Sequence, residues 1–533
     1  MKTRMLLCLI LCSIMTACSN ENRRKSESFS VPNVIIVMTD DQGYGDLSCH
    51  GNPVLKTPNL DQLYLESVRF TDFHVAPMCT PTRGQLLTGH DAMDNGASFV
   101  CLGRSMMRRE LPTLADLFAK EGYKTGLFGK WHLGDSYPHR PMDRGFQEVV
   151  RHGAWGITSI ADYFGNDYFN DTYRHNGVYE SYTGYCTDVW FREAICWMKA
   201  RQEAGDQFFC YIPTNVPHVP HWVSDSYSDL YKGRGPAKFY GMIANLDENM
   251  GRLEKFLEES GLRENTLLLF LTDNGTAAGE KVYNAGMRGK KTSLYEGGHR
   301  VPLFVRWPAG GVGGSRDVGH LTHCQDLLPT LIDLCGFKSD GKEELDGVSL
   351  ASLLKEKNAP FPDSSRMLVV QYGSEIHNLK KYNATILWKK WRLVKGEELY
   401  RIDADPGQME NLTARHPDIV DKLRQHYDQW WLETYPQFQK ARYIDLGTTR
   451  ANPMMLYSSD WQGSYADNFA NLAAGDRIGA WDVLITQAGT YNFTLWRWPP
   501  EANAALDSGL VGPQGSGSAV PIRQVRIQIG DVK

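Results

Sequence analysis

The segment Val34-Ile-Ile-Val-Met38, followed directly by Thr39-Asp40-Asp41, is an uninterrupted apolar run that ends in polar side chains. Near-continuous runs of this length are typical of strands that are buried on both faces of a sheet. Three further runs end in the same way: 125–128 before Lys130 and His132, 208–212 before Asn215 and His218, and 267–271 before Asp273 and Asn274. The four runs predict neighbouring strands of one sheet.

Helical patterns separate these predicted strands. They cover residues 57–67, 113–120 and 240–260. Alternating strands and helices predict an α/β fold, with a large mixed, mostly parallel sheet flanked by helices. Because ligands of such sheets bind beyond the carboxyl ends of the strands, we expect the polar clusters that follow the four runs to share one site.

Two further regions follow the predicted α/β domain, which spans residues 31–354. Residues 355–440 are expected to form a smaller α+β subdomain. Its predicted strands cover 367–372, 383–388, 391–395 and 398–402, and its helix covers 416–432. Residues 441–533 alternate polar and apolar side chains, as in Trp481–Ile485 and Thr490–Trp496, and predict an added β-rich extension.

The first 17 residues have the pattern of a signal peptide, with Lys2 and Arg4 before an apolar run too short to span a bilayer permanently. Thr16-Ala17-Cys18 resembles a bacterial lipobox, although Met15 stands where Leu is usual. The pattern predicts an exported lipoprotein of a Gram-negative bacterium, periplasmic or in the outer membrane. Cys18 would carry the lipid anchor and residues 18–30 would form a tether. Plain secretion and a retained anchor are the alternatives.

The composition excludes some classes of protein. A net charge of -5 with 22% charged residues argues against a nucleic-acid partner, which would require a basic surplus. Eleven cysteines are present, but none forms a CxxC pair, so a thiolate zinc site is not expected.

Cys79-Thr-Pro-Thr-Arg83 is the first segment that points to chemistry. Proline near the start of a helix favours helix entry, so Cys79 is expected at a helix N-terminus, where free amides attract an anion. A buried cysteine before an ordinary helix would show the same pattern. The motif therefore needs support from the residues at the strand ends.

Two pairs of oxygen ligands supply that support. Asp40-Asp41 and Asp273-Asn274 each follow a predicted strand. Hard oxygen donors suit calcium or magnesium rather than zinc. A strand-end Asp also caps turns, but two pairs on comparable strands favour a metal site.

Candidate cationic and proton-transferring residues complete the set. Lys130 and His132 are two residues apart directly after a strand, so both can face one cleft. His218 lies in a proline-rich loop, in which His221 is the alternative. Lys290-Lys291 precedes a glycine-containing turn, and either lysine can face the cleft.

These motifs, in this order, resemble the formylglycine-dependent sulfatases of the alkaline phosphatase superfamily, in particular bacterial lipoprotein sulfatases of glycans. The resemblance extends from Asn33 to about Leu432. It implies that a formylglycine-generating or an anaerobic sulfatase-maturating enzyme oxidises Cys79 to formylglycine. The implied ligands of one calcium ion are Asp40, Asp41, Asp273, Asn274 and the modified residue 79. The implied catalytic residues are Cys79, Arg83, Lys130, His132, His218 and Lys291.

The resemblance also implies a mechanism. One hydroxyl of hydrated formylglycine attacks sulfur, while calcium, Arg83 and the lysines offset charge on the sulfuryl oxygens. Protonated His218, together with Lys291, donates a proton to the leaving alcohol. A base then removes the proton of the second hydroxyl, with His132 orienting the diol, and sulfate is expelled.

The expected substrates are sulfated sugars of host or algal glycans. Several aromatic residues either stack on sugar rings or pack in the interior: Trp155, Tyr163, Tyr168, Tyr173 and Trp222. Two other functions share parts of the pattern. One is a formylglycine-dependent phosphodiesterase or phosphonate monoester hydrolase, and the other is a non-catalytic glycan-binding lipoprotein with an unmodified Cys79.

Overall fold

The computed structural model describes residues 31–338, 344–373, 379–473, 477–512, 515–517, 526 and 528. The predicted signal peptide, the Cys18 lipidation site and the tether lie outside these residues. Across the described ranges, no helix has both the length and the apolar character needed to cross a bilayer.

A ten-stranded mixed sheet forms the centre of the fold. In spatial order its strands are Arg316–Val318, Val68–Phe70, Leu303–Arg306, Thr266–Thr272, Asn33–Thr39, Phe208–Pro213, Lys124–Gly129, Glu148–Arg151, Thr172–His175 and Val178–Ser181. The five strands from Thr266–Thr272 to Glu148–Arg151 are parallel, and the strand on each side of this group pairs antiparallel with it. The four strands predicted from apolar runs all lie in the parallel group, so the predicted mostly parallel sheet is confirmed.

Helices cover both faces of this sheet, as alternate residues of the strand Asn33–Thr39 show. Ile36 packs in one core with Leu86 and Phe118, whereas Ile35 packs in a second core with Trp190 and Leu253. Successive side chains of a strand point to opposite faces, so a strand between two helical layers must be apolar throughout. The longer helices are Pro58–Glu66, Cys79–Thr88, Leu114–Lys120, Cys186–Ala204, Ala237–Glu259 and Leu327–Cys335; the shorter ones are Ala92–Asn95, Asp225–Ser228, Glu296–His299 and Ala351–Lys355.

The smaller C-terminal sheet is an antiparallel meander. Its strands are Met367–Gln371, Ala384–Trp388, Trp391–Val394 and Glu398–Arg401. The helix Pro417–Gln439 packs Leu423 and Tyr427 against Ile386 and Leu393 of this sheet. The predicted α+β arrangement is confirmed, although the helix continues beyond its predicted end at residue 432.

Within its described residues, the extension contains three small sheets and the short helix Phe469–Ala473. Its paired strands are Ile444–Leu446 with Val483–Ile485, Gln462–Gly463 with Gly479–Ala480, and Leu510–Gly512 with Gly515–Gly517. Residues 490–496, one of the two alternating segments behind the β-rich prediction, belong to no strand, and Phe493 and Leu495 are exposed. Among the described residues, no neighbouring strand forms a ladder of backbone hydrogen bonds with this segment. The domain boundaries at residues 354 and 440 stay predictions.

Candidate active site

Three of the predicted site residues follow directly after strands of the parallel group: Asp40, Lys130 and Asp273. The Asp273 backbone N–H donates to the Thr39 carbonyl at 3.1 Å, and the Lys130 N–H donates to the Pro213 carbonyl at 2.6 Å. These bonds hold the turns after the strands side by side. The parallel sheet therefore brings residues from distant parts of the chain into one site.

Tight backbone geometry at this edge directs the side chains. Gly129 has a φ of 132°, and a Cβ there would lie 2.1 Å from the Pro213 carbonyl oxygen, so only glycine allows the close approach that places Lys130. Asp41 and His132 have φ values of 68° and 57°, in the left-handed region. Such conformations cost of order 1–3 kcal/mol and are concentrated at functional sites.

Cys79 is the first residue of the helix Cys79–Thr88, as predicted, and its side chain is buried. Its Sγ lies 3.3 Å from His132 Nδ1. The other ring nitrogen of His132, Nε2, is 2.8 Å from the Val100 carbonyl and donates to it, which leaves Nδ1 as the acceptor that faces residue 79. Burial raises the pKa of the Cys79 thiol. An unmodified cysteine would therefore be a poor nucleophile here.

The predicted metal ligands converge beside Cys79. Ligand atoms of Asp40, Cys79 and Asp273 all lie within 4.8 Å of one another. The Asp41 backbone N–H donates to Asp273 Oδ1 at 3.1 Å, and Asn274 Nδ2 donates to Asp41 Oδ1 at 2.9 Å. Within the described ranges, Asp40 Oδ1 and Asn274 Oδ1 are buried without a hydrogen-bond donor. Two unsatisfied, buried oxygens in an oxygen-rich set fit a hard divalent cation.

Three cationic side chains surround this group, each paired with one carboxylate. The pairs are Arg83 with Asp273 at 2.8 Å, Lys130 with Asp40 at 2.6 Å, and Lys291 with Asp41 at 2.7 Å. The side chains of Arg83 and Lys130 are completely buried, whereas that of Lys291 is 17% exposed. Lys291 is thus the cation of the three that an incoming anion can reach directly.

The sequence left two choices open, Lys290 or Lys291 and His218 or His221, and the structure distinguishes the members of each pair. Lys290 points away from the site and pairs with Glu280 at 2.9 Å, so Lys291 is the lysine in the cluster. His218 Nε2 lies 3.7 Å from Asp41 Oδ2, whereas the ring of His221 packs against Phe239.

The charges within the cluster shift several pKa values. Burial and the negative charge of Asp40 raise the pKa of Asp273 to about 7. Burial also acts to raise the pKa of Asp41, but the charge of Lys291 holds it well below its usual value. Burial and Lys291 lower the pKa of His218 to about 3. His218 is therefore neutral in this arrangement, and its role as proton donor to a bound substrate stays a prediction.

A buried arginine that no sequence motif indicated joins the C-terminal sheet to the site. Arg392 is completely buried, and it donates from Nε to Glu296 Oε1 and from Nη2 to Asp72 Oδ1, both at 2.7 Å. Glu296 begins a short helix five residues after Lys291. The C-terminal sheet therefore supports the segment that carries Lys291.

Three of the five aromatic candidates differ in how far they are exposed. Tyr168 and Tyr173 are 1% exposed and pack in the interior, so neither is free to stack on a sugar. Trp155 is half-buried, and its ring centroid lies 5.3 Å from that of His218, at the site.

Comparison with known proteins agrees with this geometry. Residues 32–337 match the family model described as Sulfatase, which covers more than half of the chain. The chain belongs to the sulfatase family. Residues 287–431 of this sulfatase also match the model described as the C-terminal part of N-sulphoglucosamine sulphohydrolase.

Similar proteins extend the comparison. Human arylsulfatase A is 30% identical to this sulfatase over 429 residues, which cover 74% of the chain and 81% of the human enzyme. N-acetylgalactosamine-6-sulfatase of the dog is 30% identical over 355 residues, which cover 60% of the chain and 65% of the dog enzyme, just under two thirds of its length. The solved structure of Ps i-CgsB in complex with k-i-k-neocarrahexaose has a TM-score of 0.69 and 26% identity, covering 77% of this chain and 94% of that one. Sulfatases are sulfuric ester hydrolases, and the predicted enzyme class is confirmed.

Proposed function

We propose that this sulfatase removes sulfate from sulfated sugars, with formylglycine made from Cys79 as its nucleophile and one calcium ion as its metal. The position of Cys79 is the main observation that supports the proposal. Its buried Sγ lies within 4.8 Å of ligand oxygens of both Asp40 and Asp273. A buried cysteine with a purely structural role is normally surrounded by apolar side chains, because burying carboxylates and cations beside it costs free energy.

Asp40, Asp41, Asp273, Asn274 and the modified residue 79 would hold the calcium ion. The unsatisfied Oδ1 atoms of Asp40 and Asn274 support this assignment. When bound, calcium would supply a fixed positive charge that polarises a sulfuryl oxygen. Hydrated formylglycine would supply two hydroxyls on one carbon, one to attack sulfur and one whose loss of a proton would re-form the aldehyde and expel sulfate.

Four side chains of the protein position the metal ligands, residue 79 and the substrate sulfate. Arg83 and Lys130 are buried and paired, so they keep the carboxylates and residue 79 in place and present positive charge to the sulfate. Lys291, which is partly exposed, contacts a sulfate oxygen on the open side. His132 Nδ1, at 3.3 Å from Sγ, accepts a hydrogen bond from a hydroxyl at position 79 and orients it.

His218 is the group placed to move a proton at the leaving oxygen. Its Nδ1 donates to the Val219 carbonyl at 2.7 Å, so Nε2 faces Asp41 and the open side of the cluster. The negative charge of a bound sulfate ester opposes the effect of Lys291 and favours the imidazolium form of His218. The proton then passes from Nε2 to the leaving alcohol.

Sulfated sugars are the proposed substrates because two of the similar proteins carry sugar names, N-acetylgalactosamine-6-sulfatase and the complex with k-i-k-neocarrahexaose. We also propose export as a lipoprotein anchored through Cys18, which would bring the enzyme to extracellular glycans. A formylglycine-generating or anaerobic sulfatase-maturating enzyme is the proposed partner, because conversion of the Cys79 thiol to an aldehyde is an oxidation and requires an oxidant.

Mass spectrometry of the peptide that contains Cys79 tests the proposal directly. The peptide should be lighter than the unmodified one, because an aldehyde replaces the thiol. Cys79→Ala should abolish sulfate release from 4-nitrocatechol sulfate and from sulfated sugars, whereas Cys196→Ala, at an exposed free cysteine, should leave it unchanged. An unmodified Cys79 peptide in active enzyme refutes the proposed nucleophile. Faster release of phosphate than of sulfate from paired aryl esters would instead indicate a phosphohydrolase.

A further inference from the structure

A cavity of about 360 Å³ lies beside the C-terminal end of the helix Pro417–Gln439. It is lined by residues 107–110 and His139 on one side and by residues 440–443 on the other. Its described lining includes none of the candidate catalytic or metal-binding residues. A cavity of this volume is large enough for a small ligand or for one group of a larger ligand.

Positive charge dominates the lining of this cavity. The lining contains one carboxylate, that of Glu110, and four cationic side chains: Arg108, Arg109, Lys440 and Arg442. His139 adds no charge, because burial lowers its pKa to about 3 and leaves the ring neutral. This space, hereafter the cationic cavity, therefore has an excess of positive charge.

Carboxylates next to the cationic cavity balance only part of that charge. Arg108 Nη2 lies 3.2 Å from Asp94 Oδ2, and Arg109 Nη1 lies 2.8 Å from Asp445 Oδ1. The other two cations of the lining form no ion pair within the described ranges. Charged side chains are rarely buried unless a counter-charge accompanies them, so the unpaired cations require an explanation.

Arg442 is the buried member of this unpaired set, at 4% exposure. Its Nη1 donates to the Lys440 carbonyl, and its Nη2 donates to the Gln437 carbonyl at 3.2 Å. Its Nε has no described hydrogen-bond partner and packs against Gly96, where a Cβ would lie 2.1 Å from it. Since each Nη atom of a guanidinium carries two N–H groups, Arg442 can still donate to a further acceptor.

A second arginine next to Arg442 adds to the excess of positive charge. Arg104 Nη1 donates to the Phe438 carbonyl at 2.6 Å and lies 3.5 Å from the Lys440 carbonyl oxygen that also accepts from Arg442. Burial and the charges of Arg104 and Arg108 lower the pKa of Arg442 to about 10. The C-terminal end of a helix supplies the equivalent of about half a negative charge, which is too little to balance these guanidinium groups.

We propose that the cationic cavity is a second anion site, which binds a sulfate group through Arg442, Lys440 and Arg109. Guanidinium and ammonium groups bind tetrahedral oxyanions through charge-assisted hydrogen bonds. Sulfate is the oxyanion that a sulfatase meets in both its substrate and its product. The bound group is either a sulfate ester elsewhere on a glycan or the free ion. The choice of sulfate rests on the proposed function, whereas the anion site itself requires no turnover.

Isothermal titration calorimetry of the full-length protein with sodium sulfate tests this site. The double variant Arg109→Gln/Lys440→Gln removes two exposed cations of the lining and no buried one. Its affinity for sulfate at the cationic cavity should fall roughly tenfold or more, because two charge-assisted contacts are lost. Arg192→Gln/Lys199→Gln is the matched control, since both residues are exposed on one helix and Arg192, like Arg109, is 44% exposed and paired with one carboxylate. The control should bind sulfate as the wild type does.

Sulfate also enters the proposed active site, so the wild type and the control should show two classes of binding site and the double variant one. The kcat/KM of the double variant for 4-nitrocatechol sulfate should stay within roughly twofold of the wild-type value, because the catalytic residues are unchanged. Absence of sulfate release from every ester would refute the proposed function, while the titrations would still decide whether the cationic cavity binds an anion.

A short dextran sulfate, with unsulfated dextran as its blank, distinguishes the two sources of the sulfate group. If the site holds an ester of a glycan, the double variant should bind dextran sulfate roughly tenfold more weakly than the control does. If it holds the free ion, the two proteins should differ for sodium sulfate alone. Equal binding of both probes by the double variant and the control would overturn the proposal.

Discussion

Replacing Arg392 with Met should destabilise the protein more than any exposed arginine substitution. Met has a similar length but no charge, so the variant keeps Asp72 and Glu296 buried while both lose a 2.7 Å charged hydrogen bond. Asp72 retains His74 at 2.9 Å and Lys390 at 2.8 Å. Removing one partner of a buried ion pair typically costs about 3–5 kcal/mol. We expect a loss of free energy of unfolding near the lower end of that range, because these remaining contacts offset part of the cost.

Urea unfolding followed by tryptophan fluorescence measures this loss as a lower midpoint at an unchanged slope. Arg401→Met is the control: Arg401 lies on the next strand of the same sheet and pairs with Asp403 at 2.9 Å, but its side chain is 53% exposed. An exposed pair of this kind contributes about 0–1 kcal/mol. If the two variants lost equal stability, the inferred support of the Lys291 segment by the C-terminal sheet would be refuted.

Three further predictions concern the site and the sheet edge. Asn274→Ala should weaken calcium binding by roughly tenfold or more in isothermal titration of chelator-treated protein, because it removes an unsatisfied buried oxygen; unchanged affinity would exclude Asn274 as a ligand. Lys130→Met should lower kcat/KM for 4-nitrocatechol sulfate by at least ~100-fold, while Lys290→Met stays within roughly twofold, because Lys130 is buried in the cluster and Lys290 is not. Burial acts to lower the pKa of His175, but two nearby glutamates raise it overall. Its contribution to stability is therefore complete below the unfolded pKa of about 6.5 and is lost as the pH rises through the folded value. His175→Gln should be less stable than the wild type by under ~1 kcal/mol near pH 6, and equal to it near pH 9; a constant difference would contradict this assignment.

Sequence patterns predicted the sheet because they report a local property. The run from Val34 to Met38 has to be apolar on both sides, since Ile35 and Ile36 face different cores. A segment such as 490–496 shows an equally regular alternation, yet it forms no strand. The difference lies in the partner: a strand needs a neighbour for its hydrogen bonds, and alternation alone does not supply one.

Several catalytic candidates were also recognisable from the sequence, because Lys130 and His132 follow a strand end and Cys79 begins a helix. Their pairing was not. Nothing in the spacing of Lys290 and Lys291 determines which ammonium group reaches Asp41, and nothing in the sequence indicates the burial beside Lys291 that lowers the pKa of His218 to about 3. Charge interactions depend on distances of a few ångströms, which the chain order does not encode directly.

The sequence by itself determined the class of fold, the sulfatase resemblance and the residues available for metal and sulfate binding, since these depend on residue types at fixed local spacings. Tertiary structure alone decided the contacts between distant segments. Arg392 meets Asp72 across 320 positions of the chain, and Asp460 of the extension accepts a hydrogen bond from the Asp135 backbone N–H across 325. Such contacts arise from the packing of separate surfaces, and no local pattern marks them because the residues involved obey no common period.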